Sequence, residues 1–397
     1  MHRQNYFQLL KKLLRITTVP ISLDKLLGKQ LSFMNQFYEV TAVSADAPEL
    51  ARVAKKYGVK HHPVEMTREI SPLQDLKALL QFYRLCKKEK PFLVHSHTPK
   101  AGIVGMLGAK LAGVPHRLHT VAGLPLMEAT GLKRKVLNFV EKLTYACATK
   151  VYPNSRGLYD FIVQENFAEI SKLKVLGEGS SNGIDTEFFS RSQIPEAQQH
   201  ALRQDLGILP EDFVFIFVGR LVGDKGINEL VEAFKKITLP KTKLLLVGPL
   251  ETDLDPLDPA TLAEIEFNKN IIMAGYQNDV RPYFAISHVL VFPSYREGFP
   301  NVVLQAGALE LPAIVSNING CNEIIIEGKN GTIIPVKDVQ ALKSSMTEMY
   351  QNEPWREKLQ SQARSMLTCR YDQQVVWQAI LAEYRAAEKT IKHSNKF

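Results

Sequence analysis

The residues best suited to chemistry lie in the stretch Phe292-Pro-Ser-Tyr-Arg-Glu297-Gly298-Phe299-Pro-Asn301-Val302-Val-Leu-Gln305. It leaves an apolar run, makes a Gly/Pro loop and enters a helix of small and apolar residues. Free N–H groups at a helix start suit an anion or a polar sugar, and the Glu297 carboxylate can accept hydrogen bonds from hydroxyls. The plainer alternative is that Glu297 only caps the helix. Gln305 lies eight residues later, about two turns along, and can approach the same ligand. A second stretch is Phe217-Val-Gly219-Arg220-Leu-Val-Gly-Asp-Lys225-Gly226. A guanidinium and an ammonium on one loop beside a helix start can clamp a diphosphate, and Gly219 allows close backbone approach. Solvated loop cations are the bland reading.

In the first half, His119 ends a strand-like run, where it is either an active-site imidazole or a half-buried structural one. His95 and His97 share a strand face, but with no third ligand specified a metal site does not follow. Asp253-Leu-Asp255 sits in an acidic, proline-containing run and reads as a solvated loop, not a metal motif. Gly102, Gly105 and Gly108 recur every three residues, which suits close packing of a helix on a sheet. This is not a dinucleotide fingerprint, which argues against a nicotinamide dehydrogenase. Lys133, Arg134 and Lys135 open a helix continuing Val136, Leu137, Phe139, Val140 and Leu143, preceded by Leu124-Pro-Leu-Met127. Basic and apolar residues together suit an anionic membrane surface, and equally a core helix with solvated basic flanks.

Positioning these groups falls to alternating strands and helices. Strands are expected at Leu14–Val19, Phe37–Val43, Phe92–His95, Arg117–Val121 and Val151–Tyr152. Helices are expected from Pro20 to about Gln36, and at Pro48–Tyr57, Leu73–Lys88, Lys100–Ala112 and Lys133–Thr149. Helix Leu73–Lys88 shows Leu76, Leu79, Leu80 and Tyr83 at helical spacing. A second series follows the polar stretch 191–200: strands Phe213–Val218, Lys243–Val247, Ile271–Ala274, Val289–Phe292 and Ala313–Val315, with helices Ile227–Ile237, Val280–Ile286 and Val302–Leu309. Such alternation implies an α/β chain with two doubly wound parallel sheets, Rossmann-like, facing a cleft at the carboxyl ends of their strands.

At 397 residues the chain exceeds what one core normally organises. With 45% hydrophobic residues, 23% charged and mean hydropathy −0.11, its composition is that of an ordinary globular protein. Residues 1–190 carry 27 basic and 16 acidic side chains, and residues 191–397 carry 22 and 25, so the +8 total is +11 and −3 by half. The first half therefore expects an anionic partner. Nucleic acid does not fit, because no aromatic-interleaved basic stripe appears. No secretory signal or membrane-spanning run is read, and Cys86, Cys147, Cys321 and Cys369 are too scattered for a zinc or disulfide framework, so a cytoplasmic setting is expected.

Gly-Arg…Lys-Gly followed some seventy residues later by Pro-Ser-x-x-Glu-Gly-Phe resembles the family-four, GT-B-fold retaining glycosyltransferases. His95-Ser-His-Thr-Pro-Lys-Ala-Gly102, His119-Thr-Val-Ala-Gly-Leu-Pro125 and Gly320-Cys-Asn-Glu-Ile-Ile-Ile-Glu-Gly328 look closer to the capsular polysaccharide and O-antigen branch, which acts on undecaprenyl-diphosphate-linked acceptors. The resemblance implies an acceptor-binding domain over 1–188, a nucleotide-sugar-binding domain over 189–370 and a helix, 371–397, returning to the first. It implies that Arg220 and Lys225 hold the donor diphosphate, and that Glu297 meets the transferred sugar with Gly219, Gly298 and the amides of Phe299, Asn301 and Val302. His119 orients that sugar, while Lys100, Lys133, Arg134 and Lys135 serve the acceptor and the membrane. Gln305 stands where the family carries a second Glu for the ribose, so one charge-assisted bond is lost. His288 replaces a customary Asp and reads as structural. Domain closure would bring donor and acceptor together. A UDP-sugar is the expected co-substrate, with no cofactor and no divalent metal, at the inner face of the plasma membrane. The competing readings are an enzyme like UDP-N-acetylglucosamine 2-epimerase, which would release a free epimer, and a non-catalytic sugar-nucleotide-binding subunit.

Overall fold

The computed structural model describes residues 10–394 except Arg68, Ile70, Glu128, Asp253 and Leu254. The chain divides into two compact units, Met1–Asn182 with Val376–Phe397, and Gly183–Val375. At the junction Ile184 exchanges backbone hydrogen bonds with Tyr371 and Gln373 inside the second unit.

In the first unit six parallel strands run in the order β3-β2-β1-β4-β5-β6. They are β1 Lys12–Ile16, β2 Glu39–Ser44, β3 Lys60–Pro63, β4 Leu93–Ser96, β5 His116–Val121 and β6 Lys150–Pro153. Between them lie α1 Ala47–Tyr57, α2 Pro72–Glu89, α3 Pro99–Ala112 and α4 Gly131–Cys147. Helix α3 packs between α2 and α4, and their apolar faces share one core with Ile16, Val94 and Val121 of the sheet. Asp46 caps α1 by accepting from the Glu49 N–H, and Gly58 closes it in the left-handed conformation.

The second unit repeats the plan in the order β12-β11-β10-β7-β8-β9. Its strands are β7 Phe213–Val218, β8 Thr242–Val247, β9 Ile271–Gly275, β10 Val289–Phe292, β11 Ala313–Ser316 and β12 Gly331–Ile334. Every residue of β7 is buried, as a central strand covered on both faces requires. Helices α5 Ile227–Lys235, α6 Asn301–Ala308, α7 Val339–Gln351 and α8 Glu353–Tyr371 flank this sheet. The last helix, α9 Gln373–Ser394, lays Val376, Trp377, Ile380, Leu381 and Tyr384 into the first unit's core.

Strand order reverses between β1 and β4 in one unit and between β7 and β10 in the other. At such a point neighbouring loops diverge to opposite faces and leave a crevice for ligand. The two chemistry-bearing loops of the second unit follow β7 and β10. Adjacent strands therefore bring together residues some seventy positions apart.

Three sequence expectations need correction. The helix expected from Pro20 to Gln36 is broken into Pro20–Ser22, a wide π turn Leu23–Leu27 and Gln30–Met34, because Gly28 turns the chain at φ 50°. In α2 the buried face is Ala78, Phe82, Leu85 and Cys86, while Leu76 and Leu80 point outward. Edge strands β3 and β12 went unread. Lys-His-His-Pro has no apolar period, and Gly-Thr-Ile-Ile follows too short a connection to announce itself.

Candidate active site

In the second unit, Lys225 Nζ donates to Glu297 Oε1 at 2.6 Å, and both side chains are largely buried. The register of β7 against β10 sets this pair. Gly226 completes it: at φ 70° its Cα lies so close that an added Cβ would sit 2.2 Å from the Pro293 carbonyl oxygen. Further bonds lace the loops together. Ser294 Oγ lies 3.3 Å from Glu297 Oε1, Arg296 Nη2 donates to Asp224 Oδ2 at 2.8 Å, and the Tyr295 N–H donates to the Asp224 carbonyl. Asn319 donates to the carbonyls of Glu297 and Gly298. Asn319 escaped sequence reading, although the flagged Gly320 segment adjoins it.

Glu297 thus pairs with a cation and does not cap α6. The cap position is Pro300, and no side chain caps the leading N–H groups around Asn301 and Val302. Phe299 is buried against Tyr371, which fixes the loop backbone. Arg220 is half-exposed and donates to Glu251 at 2.8 Å, and Gly219 hydrogen-bonds to Val247 through its N–H. Gln305 is half-buried and makes no side-chain hydrogen bond among the described residues. Asp253 and Leu254 lie outside the described residues. Asp255 accepts from the Asp224 N–H, bracing the cationic loop. His288 is half-buried, accepts the Val214 N–H at 2.9 Å and stacks on Phe213, and desolvation pulls its pKa down to about 4. That is a structural part.

In the first unit, His119 and Ser96 are register neighbours on β5 and β4. Ser96 Oγ and His119 Nδ1 are hydrogen-bonded at 2.8 Å, and Tyr145 of α4 lies against the ring at a centroid distance of 5.8 Å. Burial lowers the His119 pKa to about 4, so the imidazole is neutral near pH 7. On α3, Gly102 packs on His119 and Gly105 on Ile16 of the sheet, as their spacing suggested, whereas Gly108 packs on Phe82 of the neighbouring helix α2.

His95 and His97 do share a face, with ring centroids 4.2 Å apart, but their neighbour is the fully buried Arg15. Arg15 donates to His97 Nε2, Tyr384 Oη and Gln30 Oε1, and burial holds both histidines well below their ordinary pKa. Among the described residues no group of three or more His, Cys, Asp or Glu side chains is placed to hold a metal ion.

The layer α2–α3–α4 carries ten basic and three acidic residues, a net of +7. On its outer surface Leu132 is 78% exposed, Phe139 67% and Leu73 85%, with Leu76, Leu80 and Val136 also exposed beside Lys77, Lys133, Lys135 and Lys142. Arg134 is not part of this surface. It donates to the Leu126 carbonyl and to Asn138 and lies over Phe161. Lys100 is likewise engaged, against Asp75 at 2.5 Å. No helix among the described residues is long and apolar enough to cross a membrane.

On the inner face of α4, Glu141 is buried and its carboxyl is pushed up to about 7 by desolvation. Raised above the unfolded value of 4.5, it favours folding fully below that pH, and the contribution is lost as pH rises through about 7. Glu141→Gln should therefore melt like the wild type near pH 4.5 and become more stable by about 3 kcal/mol at pH 8. A constant difference across that range would show that the carboxyl does not titrate there.

Two parallel six-stranded, doubly wound units, with paired loops at a switch point of the second, give the chain the GT-B fold. The glycosyl transferases group 1 family matches residues 198–366, and the glycosyl transferase 4-like domain matches residues 32–179. The chain belongs to this glycosyltransferase family. It is 34% identical over 377 residues to the capsular polysaccharide biosynthesis glycosyltransferase CapM of Staphylococcus aureus, covering 94% of this chain and 97% of that one. It is 32% identical over 291 residues to the Escherichia coli UDP-Gal:alpha-D-GlcNAc-diphosphoundecaprenol alpha-1,3-galactosyltransferase, covering 72% and 73%. In fold it is similar to a Rickettsia africae glycosyltransferase, with TM-score 0.81, 16% identity and coverage of 96% and 99%. Anabaena HepE, solved with UDP and glucose, superposes with TM-score 0.79, 16% identity and coverage of 95% and 100%.

Proposed function

We propose that this chain transfers a hexosyl or N-acetylhexosaminyl group, with retention, from a UDP-sugar to an undecaprenyl-diphosphate-linked saccharide during bacterial surface polysaccharide synthesis. The observation that carries the reading is the Lys225–Glu297 pair at the β7/β10 crevice, a cation and a hydroxyl acceptor side by side. The names of the Staphylococcus and Escherichia relatives support the pathway and the acceptor class.

In this reading Arg220 and Lys225 meet the donor diphosphate and Glu297 meets the sugar hydroxyls. The amides of Phe299, Asn301 and Val302 complete the sugar site, with Gly219 and Gly298 allowing close approach, and Gln305 takes the ribose. The bond from the anomeric carbon to the phosphate oxygen breaks as the acceptor oxygen bonds to that carbon on the same face. The acceptor proton passes to a donor phosphate oxygen. Charge gathers on the leaving diphosphate, where fixed cations lower the barrier most, so no divalent metal is required. His119, neutral near pH 7, orients the sugar. Helices α2 and α4 rest on the anionic inner face of the plasma membrane through exposed leucine, valine, phenylalanine and lysine side chains.

The test incubates the protein with UDP-sugars and a short undecaprenyl-diphosphate-linked acceptor in vesicles with and without anionic lipid. Transfer is expected, with the donor's anomeric configuration kept, undiminished by EDTA, and with vesicle binding that needs anionic lipid and weakens with salt. Release of a free epimer without acceptor, or donor binding without turnover on any acceptor, would overturn the reading.

A further inference from the structure

The His119 ring is held on three sides by groups that no reading of the loops requires. Ser96 is fully buried at the end of β4, directly opposite His119 in the parallel register, and its Oγ has His119 Nδ1 as its hydrogen-bond partner at 2.8 Å. On the α3 side there is no side chain. A Cβ at position 102 would fall 2.7 Å from ring atom Cε1, 3.2 Å from Nδ1 and 3.3 Å from Nε2. A contact below 3.0 Å forces something to move, and because the added Cβ would be fixed on a helix backbone, the ring would have to shift. Tyr145, itself fully buried, closes the third side.

A buried imidazole has two nitrogens, and the partner of one decides what the other can do. From this geometry we infer that Ser96 and Gly102 are positioning residues of His119. Ser96 occupies Nδ1, Gly102 leaves the space the ring fills, and Nε2 is the nitrogen presented to substrate. The inference deepens the proposed function and rests on His119 acting in it. Ser96 and Gly102 touch no reacting atom in this account, since they work through the ring.

The alternative is that Ser96 only satisfies a buried polar atom, which would alter stability but not the reaction. A double-mutant cycle on the full-length protein separates the two. With UDP-sugar and lipid-linked acceptor, Ser96→Ala should lower kcat about 10- to 100-fold with donor KM changed by less than about threefold, because a misplacement near 1 Å costs on that order. Gly102→Ala should do at least as much. In a His119→Ala background, Ser96→Ala should add less than about twofold. A wild-type kcat in Ser96→Ala while His119→Ala is impaired overturns this inference alone, as does a double variant whose loss multiplies those of the singles. Wild-type kcat in His119→Ala overturns both this inference and the role given to His119. A readout needing no turnover is the ring ¹⁵N shifts of histidine-labelled protein. Ser96→Ala should move the His119 signals and leave those of His95 and His97 in place, and unmoved His119 signals would refute the positioning role.

Discussion

Lys225→Ala is expected to lower kcat about 100- to 1,000-fold, the usual cost of removing one preorganised group that stabilises developing negative charge. Two consequences combine at this site. The leaving diphosphate loses a fixed cation, and Glu297 loses the ammonium 2.6 Å away. The pair's side chains are only 15% and 19% exposed, so the abandoned carboxylate also weakens the fold, by about 1–3 kcal/mol. Arg220→Ala provides the control. Its partner Glu251 forms a pair with side chains 45% and 30% exposed, worth no more than about 1 kcal/mol, so stability should hardly change while turnover still falls. Steady-state kinetics and thermal melts on the two variants separate the effects. Near-wild-type kcat in both variants would remove the diphosphate assignment.

The largest effect on stability is expected at Tyr384 of α9. Its hydroxyl accepts from Arg15 Nη1 at 3.0 Å and is hydrogen-bonded to His95 Nδ1 at 2.6 Å, and its ring is fully buried. Among the described residues Arg15 has no carboxylate partner; its side-chain hydrogen bonds go to Tyr384, Gln30 and His97, and burial lowers its pKa. Each neutral acceptor therefore matters more than it would beside a counter-ion. Tyr384→Phe keeps the ring and should cost about 1–3 kcal/mol, the penalty of an unsatisfied buried donor. Tyr384→Ala adds a cavity and should cost about 3–5 kcal/mol. Denaturant unfolding would measure both, and a Phe variant with wild-type stability would show that Arg15 does not depend on this hydroxyl.

Much of the fold was legible because buried parallel strands announce themselves. Phe213–Val218 and Val289–Phe292 were read with their observed bounds, since an uninterrupted apolar run has few other uses. The charged residues at the strand ends stood out too, because Arg220, Lys225 and Glu297 are unusual residue types next to such runs. Burial direction was harder to read. Leucines on α2 counted as apolar wherever they fell, yet Leu73, Leu76 and Leu80 face outward and Ala78 and Phe82 face in. Periodicity reports that a helix has an apolar stripe, not how many stripes it has or which one the sheet takes.

By itself the sequence determined two βα series, the charged residues in the loops at their strand ends, and an N-terminal half carrying the excess positive charge. Pairing had to wait for the tertiary structure. Sequence spacing cannot say that the loops after β7 and β10 adjoin, because strand order is a long-range choice, and only that order puts Lys225 on Glu297. It cannot say that Gly102 is small for the sake of His119, since a helix and a strand meet there through register. Nor can it say that the three helices α2, α3 and α4, with their net +7, form one layer with leucines turned outward. Local chemistry is written residue by residue, but which residues face one another depends on how distant segments pack.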